Sequence, residues 1–352
     1  MTQKELEKYA AEIMPASEKI AEAAARRQNS LTKPPGSLGR LEECAVRYAA
    51  ARGSLTAKIE KPAIVVFAGD HGVVDEGVSA FPKEVTYQML LNFTRGGAGI
   101  NVLSRLFGIT LRVVDTGVDC ERAPEGVADR KVARGTRNLA KGPAMSLEET
   151  AAALSAGVAE AESLIKDGST ILGTGDMGIG NTTPSSALYS AFLRLDPSLT
   201  AGRGTGLDDA RLKHKIGVLE KALSVNSASL KDPFSTLAAL GGFEIAGICG
   251  LIIGAAKNRI PVIVDGFISG AAACAAFALN KNISDYCFFS HLSAEAGHAA
   301  VTKAMGVRPL LSMDMRLGEG TGAALALNII KAGVATMSEM ATFGEAGVSG
   351  KS

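Results

Sequence analysis

Short apolar runs that end in glycine beside an acid or a hydroxyl, separated by longer helix-patterned stretches, constrain this chain more than any other feature. The runs are Ala63–Ala68, Leu111–Asp115, Thr170–Gly173, Pro261–Asp265, Tyr286–Ser290 and Pro309–Met313. Helical spacing occupies stretches between them, such as 147–166, 208–224, 235–257 and 267–279. Near-continuous apolar strands alternating with helices predict an α/β fold, with a mainly parallel sheet covered on both faces. Residues 1–28 and 41–52 also carry helical spacing, and a final helix over about 322–341 is expected to return beside them. The expected division is a small helical domain from 1–30 plus 328–352, and a large α/β domain over 31–327.

Open parallel sheets bind ligands beyond the carboxyl ends of their strands. Those ends read GDHG (69–72), DTGVD (115–119), GTGDMGIGNTT (173–183), DGFISG (265–270), SHLSAEAG (290–297) and MDMRLGEGTG (313–322). A single βα turn of this kind is ordinary capping chemistry. Six on one expected edge point to a polar ligand site.

The glycine-rich run 173–183 frees backbone N–H groups to face an anion, with a helix N-terminus behind them. A phosphate is the expected ligand group. The run lacks the Gly-Lys-Ser/Thr of a Walker loop and the ribose-binding acid of a dinucleotide fold. In Arg316–Gly322, Glu319 is flanked by glycines, so few neighbouring side chains shield it. Partial burial would raise its pKa toward that of a useful base. An acid capping the last helix reads equally well there. His71 lies in GDHG near Asp70, Asp75 and Glu76, but His214, His291 and His298 show no ligand spacing with it. A positioning role for His71 is therefore favoured over a metal site. Lys33–Arg40 is a stiff Pro-Pro-Gly turn that reads as a linker or as an anion-contacting loop. The GRGTG run at 202–206, ahead of Lys213 and Lys215, suits an anion or a solvated basic face.

Composition removes several classes. The 352 residues are 47% hydrophobic with a formal net charge of +1, so a packed core is expected and nucleic acid is a poor partner. The 5 cysteines are scattered and odd in number, which suits a reducing, cytoplasmic setting better than a disulfide framework. The apolar stretches at 245–256 and 260–279 read as buried elements, so no membrane partner is expected.

Taken together, KPPGSLGRLE (33–42), GDHGVVDEGV (69–78), TRGGAGI (94–100), GNTTP (180–184), GGFEIAG (241–247), DGFISG, SHLSAEAG and MRLGEGTGAALAL (315–327) resemble one family. It is nicotinate-nucleotide–dimethylbenzimidazole phosphoribosyltransferase, of cobamide lower-ligand assembly. The resemblance spans about 33–327 in the family's order. It implies a Rossmann-like large domain, a small helical domain and a homodimer. It implies transfer of phosphoribosyl from nicotinate mononucleotide to a small aromatic acceptor, giving an α-linked nucleotide phosphate and nicotinate. No pyrophosphate leaves, so neither Mg²⁺ nor another cofactor is expected.

By the same resemblance the catalytic glutamate falls on Glu319, with Asp176 as a second acid where the family usually carries Glu. Phosphate and ribose contacts fall near Gly178, Lys215, Ser290 and Gly318. Asn181, Thr182, Gly204, Asp265, Ser293 and Gly320 join them as candidates. Phe81, Met89, Met177 and Leu317 are the candidate acceptor wall. Lys33, Pro34 and Ser37 belong to a loop at or near the dimer interface. The apolar wall raises a second acceptor class, with transfer onto phenol or p-cresol through oxygen. A related transferase or phosphorylase acting on another base also stays open, as does a subunit of a heterodimer with a homologue.

Overall fold

The computed structural model describes residues 1–202 and 208–349. The candidate Gly204 lies outside the described residues. Three helices open the chain, α1 (Gln3–Ala11), α2 (Glu18–Ser30) and α3 (Arg40–Arg52). Strand β1 (Ala63–Gly69) follows, then α4 (Glu84–Thr94), α5 (Gly99–Phe107), β2 (Thr110–Gly117) and β3 (Ala128–Asp129). Next come α6 (Leu147–Lys166), β4 (Leu172–Met177), α7 (Thr182–Leu193), α8 (Pro197–Thr200) and α9 (Asp209–Val225). They lead to α10 (Pro233–Leu240), α11 (Phe243–Lys257), β5 (Val262–Val264), α12 (Phe267–Leu279), β6 (Cys287–Phe289) and β7 (His291–Leu292). The chain closes with α13 (His298–Ala304), β8 (Leu311–Ser312), α14 (Thr321–Glu339) and α15 (Phe343–Ala346). No helix among the described residues is long and apolar enough to cross a membrane.

The main sheet has strand order β3-β2-β1-β4-β5-β6, and every pair in it is parallel. Strand β1 shows why it sits in the middle. All its residues are buried. Ala63, Val65 and Phe67 enter one core with α6, α11 and α12, while Ile64, Val66 and Ala68 enter another with α5 and α14. A strand that alternates between two apolar layers needs side chains suited to both, and AIVVFAG supplies them.

Two features depart from the strand–helix reading. Leu311 and Ser312 do not join the main sheet; β8 pairs with β7 in a separate two-stranded parallel ribbon. The helix expected over 235–257 is two helices. Gly241 and Gly242 take extended backbone between α10 and α11, and a Cβ on Gly241 would sit 2.5 Å from the Leu237 carbonyl. Helix α14 runs unbroken past residue 328. Its first half packs on the sheet, and Met337 near its end packs with Ala24, Ala45 and Ala49 of α2 and α3.

Candidate active site

The chain order reverses between β1 and β4, one side running to β2 and the other to β5. That switch point leaves a crevice at the strands' carboxyl ends. Asp176 pairs with Phe67 at the end of β4. Across this end lies the Gly318-Glu319-Gly320 turn, where the Glu319 N–H donates to the Asp176 carbonyl at 3.3 Å. A Cβ on Gly175 would come within 2.7 Å of the Glu319 carbonyl group, so glycine there permits the contact.

The turn is left-handed at three consecutive residues, with φ of 79°, 61° and 87° at Gly318, Glu319 and Gly320. Glycine adopts this region freely, whereas glutamate pays on the order of 1 kcal/mol or more. Buried side chains hold the turn in place. The Asp265 carboxylate accepts from the N–H groups of Gly320 at 3.3 Å and Ala323 at 2.9 Å. Asp265 therefore caps α14 from the end of β5. Ser290 Oγ donates to the Asp265 carbonyl at 2.7 Å. Asp265 and Ser290 are wholly buried, and these bonds tie them to the protein frame.

Glu319 is 5% exposed. Its Oε2 accepts from the Ile100 N–H at 3.2 Å, at the N-terminus of α5. Burial pushes its pKa up, the Ile100 N–H pulls it back, and the Asp265 charge adds to the rise. Asp176 is more extreme. Burial, then the nearby Asp265 and Glu244, push its carboxyl well above the ordinary range, against the 3.1 Å hydrogen bond from Asn181 Nδ2. Carboxyls held above their ordinary range suit general acid–base chemistry.

Beside them opens a cavity of about 230 Å³. Asp176, Asn181, Thr182, Ser293, Gly318, Leu317 and Phe81 line it, so the structure gathers seven candidates around one space. Thr182, in the first turn of α7, is part of its wall, and Lys215 lies behind it, outside the lining. Lys215, wholly buried on α9, donates to Thr182 Oγ1 at 2.8 Å and to the Gly202 carbonyl at 3.2 Å. Burial pulls its pKa down to about 8. Gly178 lies in an adjoining cleft of about 40 Å³ with Asn181 and Thr182. A Cβ on Gly178 would meet the Gly69 carbonyl at 2.4 Å, so only glycine lets the ends of β1 and β4 approach there.

Several candidates lie apart from this space. Met89 and Met177 pack against the core shared by α5 and α14 and do not line the cavity. Lys33 is buried in a 2.7 Å ion pair with Glu42, while Pro34 and Ser37 are exposed outside the cavity. His71 forms a buried 2.7 Å pair with Glu244 behind Gly178. His291, Phe267, Glu295 and Arg316 line the cavity without standing out in the sequence. The SHLSAEAG motif carried the signal for His291, but screening histidines for metal spacing discards it. A larger cavity, about 930 Å³, lies between the 136–146 loop and α10. None of the candidate residues lines it, and its Arg137 is paired with Glu149 at 2.8 Å. Size alone therefore does not mark the site.

The arrangement brings a buried carboxylate, a second acid and a buried lysine together at a switch point. Known proteins resemble this chain along nearly its whole length. A phosphoribosyltransferase family model matches residues 13–348. The nicotinate-nucleotide–dimethylbenzimidazole phosphoribosyltransferase of Chlorobaculum parvum is 54% identical over 342 residues, 97% of each chain. That of Prosthecochloris aestuarii is 56% identical over 326 residues, 92% of each chain. The crystal structure of CobT from Thermus thermophilus matches with a TM-score of 0.91 at 44% identity, over 95% of this chain and 100% of that one. With likeness of that depth along nearly its whole length, the chain belongs to the nicotinate-nucleotide–dimethylbenzimidazole phosphoribosyltransferase family.

Proposed function

We propose that this chain moves the 5-phosphoribosyl group of nicotinate mononucleotide onto dimethylbenzimidazole or a closely related aromatic base, in cobamide biosynthesis. The observation that carries the reading is the buried Glu319 carboxylate on a turn clamped to the end of β4, whose neighbours Gly318 and Asp176 line a cavity, with the buried Lys215 bonded to the lining residue Thr182. The donor's phosphate is held by Lys215, Thr182 and the N-terminus of α7. Its ribose occupies the cavity near Asp176, Asn181 and Ser293. The acceptor lies against Phe81 and Leu317.

The donor's nicotinate is a pyridinium, already a good leaving group. The C1′–N bond to nicotinate breaks and its electron pair stays with nicotinate. An acceptor nitrogen bonds to C1′ from the opposite face, which turns a β-linked donor into an α-linked product. Glu319 takes the acceptor's proton. General-base help of this kind is worth roughly 10²–10⁴-fold, and holding both partners in line supplies much of the rest. We further propose a homodimer, with the exposed Pro34–Ser37 loop near the interface. The support for that arrangement is the family resemblance together with the loop's exposure away from the cavity.

Purified chain incubated with nicotinate mononucleotide and a pool of dimethylbenzimidazole, phenol and p-cresol tests the reading. Mass spectrometry and proton NMR are expected to show free nicotinate and an α-linked dimethylbenzimidazole nucleotide. A pool in which only phenolic products form would replace the acceptor. A pool with no transfer product would overturn the reading.

A further inference from the structure

The TRGGAGI segment (94–100) takes no part in the mechanism above, yet it ends where α5 begins, against Glu319. Oε2 of Glu319 receives the Ile100 N–H at 3.2 Å. The first turn of α5 thus offers its unsatisfied N–H groups to this carboxylate. Asn101 braces that turn from both sides. Its Oδ1 accepts from the Ala98 N–H at 3.1 Å, and its Nδ2 donates to the Phe93 carbonyl at 3.1 Å. Gly99 lets the two parts meet. A Cβ there would lie 3.1 Å from Leu317 Cδ2 and 3.4 Å from Glu319 Oε2.

We infer that the N-terminus of α5, braced by Asn101, is a positioning device for the proposed base. It ties down Oε2 of Glu319 and leaves Oε1 to receive the acceptor's proton. The inference rests on the reading of Glu319 as that base. It assigns the TRGGAGI segment to proton transfer, and Asn101 becomes a positioning residue that touches no substrate.

Two acids, Asp265 and Asp176, act electrostatically on Glu319. Asp265 lies at the end of β5 and Asp176 at the end of β4, and each disfavours ionisation of a neighbouring carboxyl. The N–H groups of Gly99 and Ile100 favour it. Loosening the helix end removes that favourable contribution. The carboxyl then ionises at higher pH, so the base is lost earlier as pH falls.

The test is the pH dependence of kcat/KM for dimethylbenzimidazole at saturating nicotinate mononucleotide. Asn101→Ala is expected to move the acidic limb to higher pH and to lower kcat/KM on that limb by roughly five- to tenfold, with KM for nicotinate mononucleotide unchanged. Asn101→Gln keeps an acceptor for the Ala98 N–H and is expected to restore the limb. Gly99→Ala reads the same contact if Asn101→Ala does not fold. A limb at the wild-type position in both Asn101→Ala and Gly99→Ala would overturn the inference, whatever their melting temperatures. Glu319→Gln separates the two ideas. Wild-type turnover in that variant removes the base itself, whereas lost turnover beside an unmoved Asn101→Ala limb removes only the positioning role.

Discussion

Glu319 shows how one residue's role depends on what its neighbours have already done. Its sequence context reads as well for a cap on the last helix as for a base. The structure gives the cap of α14 to Asp265 and turns Glu319 toward α5 instead. That exchange is invisible in sequence, because Asp265 and Gly320 are 55 positions apart. Lys215 carries a sharper consequence. Its pKa near 8 means that the free enzyme loses this positive charge as pH rises through that value. We expect kcat/KM for nicotinate mononucleotide to fall above about pH 8, and Lys215→Arg to flatten the fall. A wild-type profile that stays level to about pH 9.5 would contradict the phosphate role. Asp176 makes a prediction about stability. A carboxyl raised in the folded state folds at a cost once the unfolded chain ionises, above the ordinary 3.8. That cost grows as pH climbs toward the folded pKa. Asp176→Asn should therefore melt about 2 °C or more above wild type near pH 7.5, with the gap closing toward about pH 4. Equal melting curves at both pH values would show that the carboxyl carries no such cost.

Elements were legible where one local rule governed them. Helix α6 begins one residue after Ser146, whose side chain and Glu149 form a capping box, and the expected 147–166 span matches it. The buried strands announced themselves as unbroken apolar runs. Strand β8 had the same look but too little length, and its partner turned out to be β7. Helices α4 and α5 are not among the helical stretches named from the sequence; α5 starts inside the glycine-rich TRGGAGI motif, which interrupts helical spacing. Packing between elements leaves a different trace. A Cβ on Gly157 of α6 would lie 1.9 Å from the Gly247 carbonyl of α11, and one on Gly250 2.0 Å from the Leu154 carbonyl. The two helices thus touch backbone to backbone. Gly157→Ala gains about 1 kcal/mol of helix propensity but forces the helices apart, an overpacking cost of about 3 kcal/mol. Chemical denaturation should show a net loss of about 2 kcal/mol. An unchanged midpoint would mean that the helices yield freely.

At the scale of the whole molecule, the fold class followed from strand–helix alternation, and the glycine-ended strands pointed to the edge where the cavity opens. What the sequence left open was which of those ends converge. Five belong to the main sheet, and the sixth reaches the site only because the 313–322 segment crosses the end of β4. The cavity unites residues from four strand ends with a helix N-terminus, a conjunction that no local pattern contains. In the proposed function, this conjunction places one carboxylate beside a held phosphoribosyl donor. Steady-state turnover of Glu319→Gln against wild type, with nicotinate mononucleotide and dimethylbenzimidazole, tests that claim most directly. We predict donor binding near the wild-type value and a fall in kcat of roughly 10²–10⁴-fold. Turnover equal to wild type would contradict it.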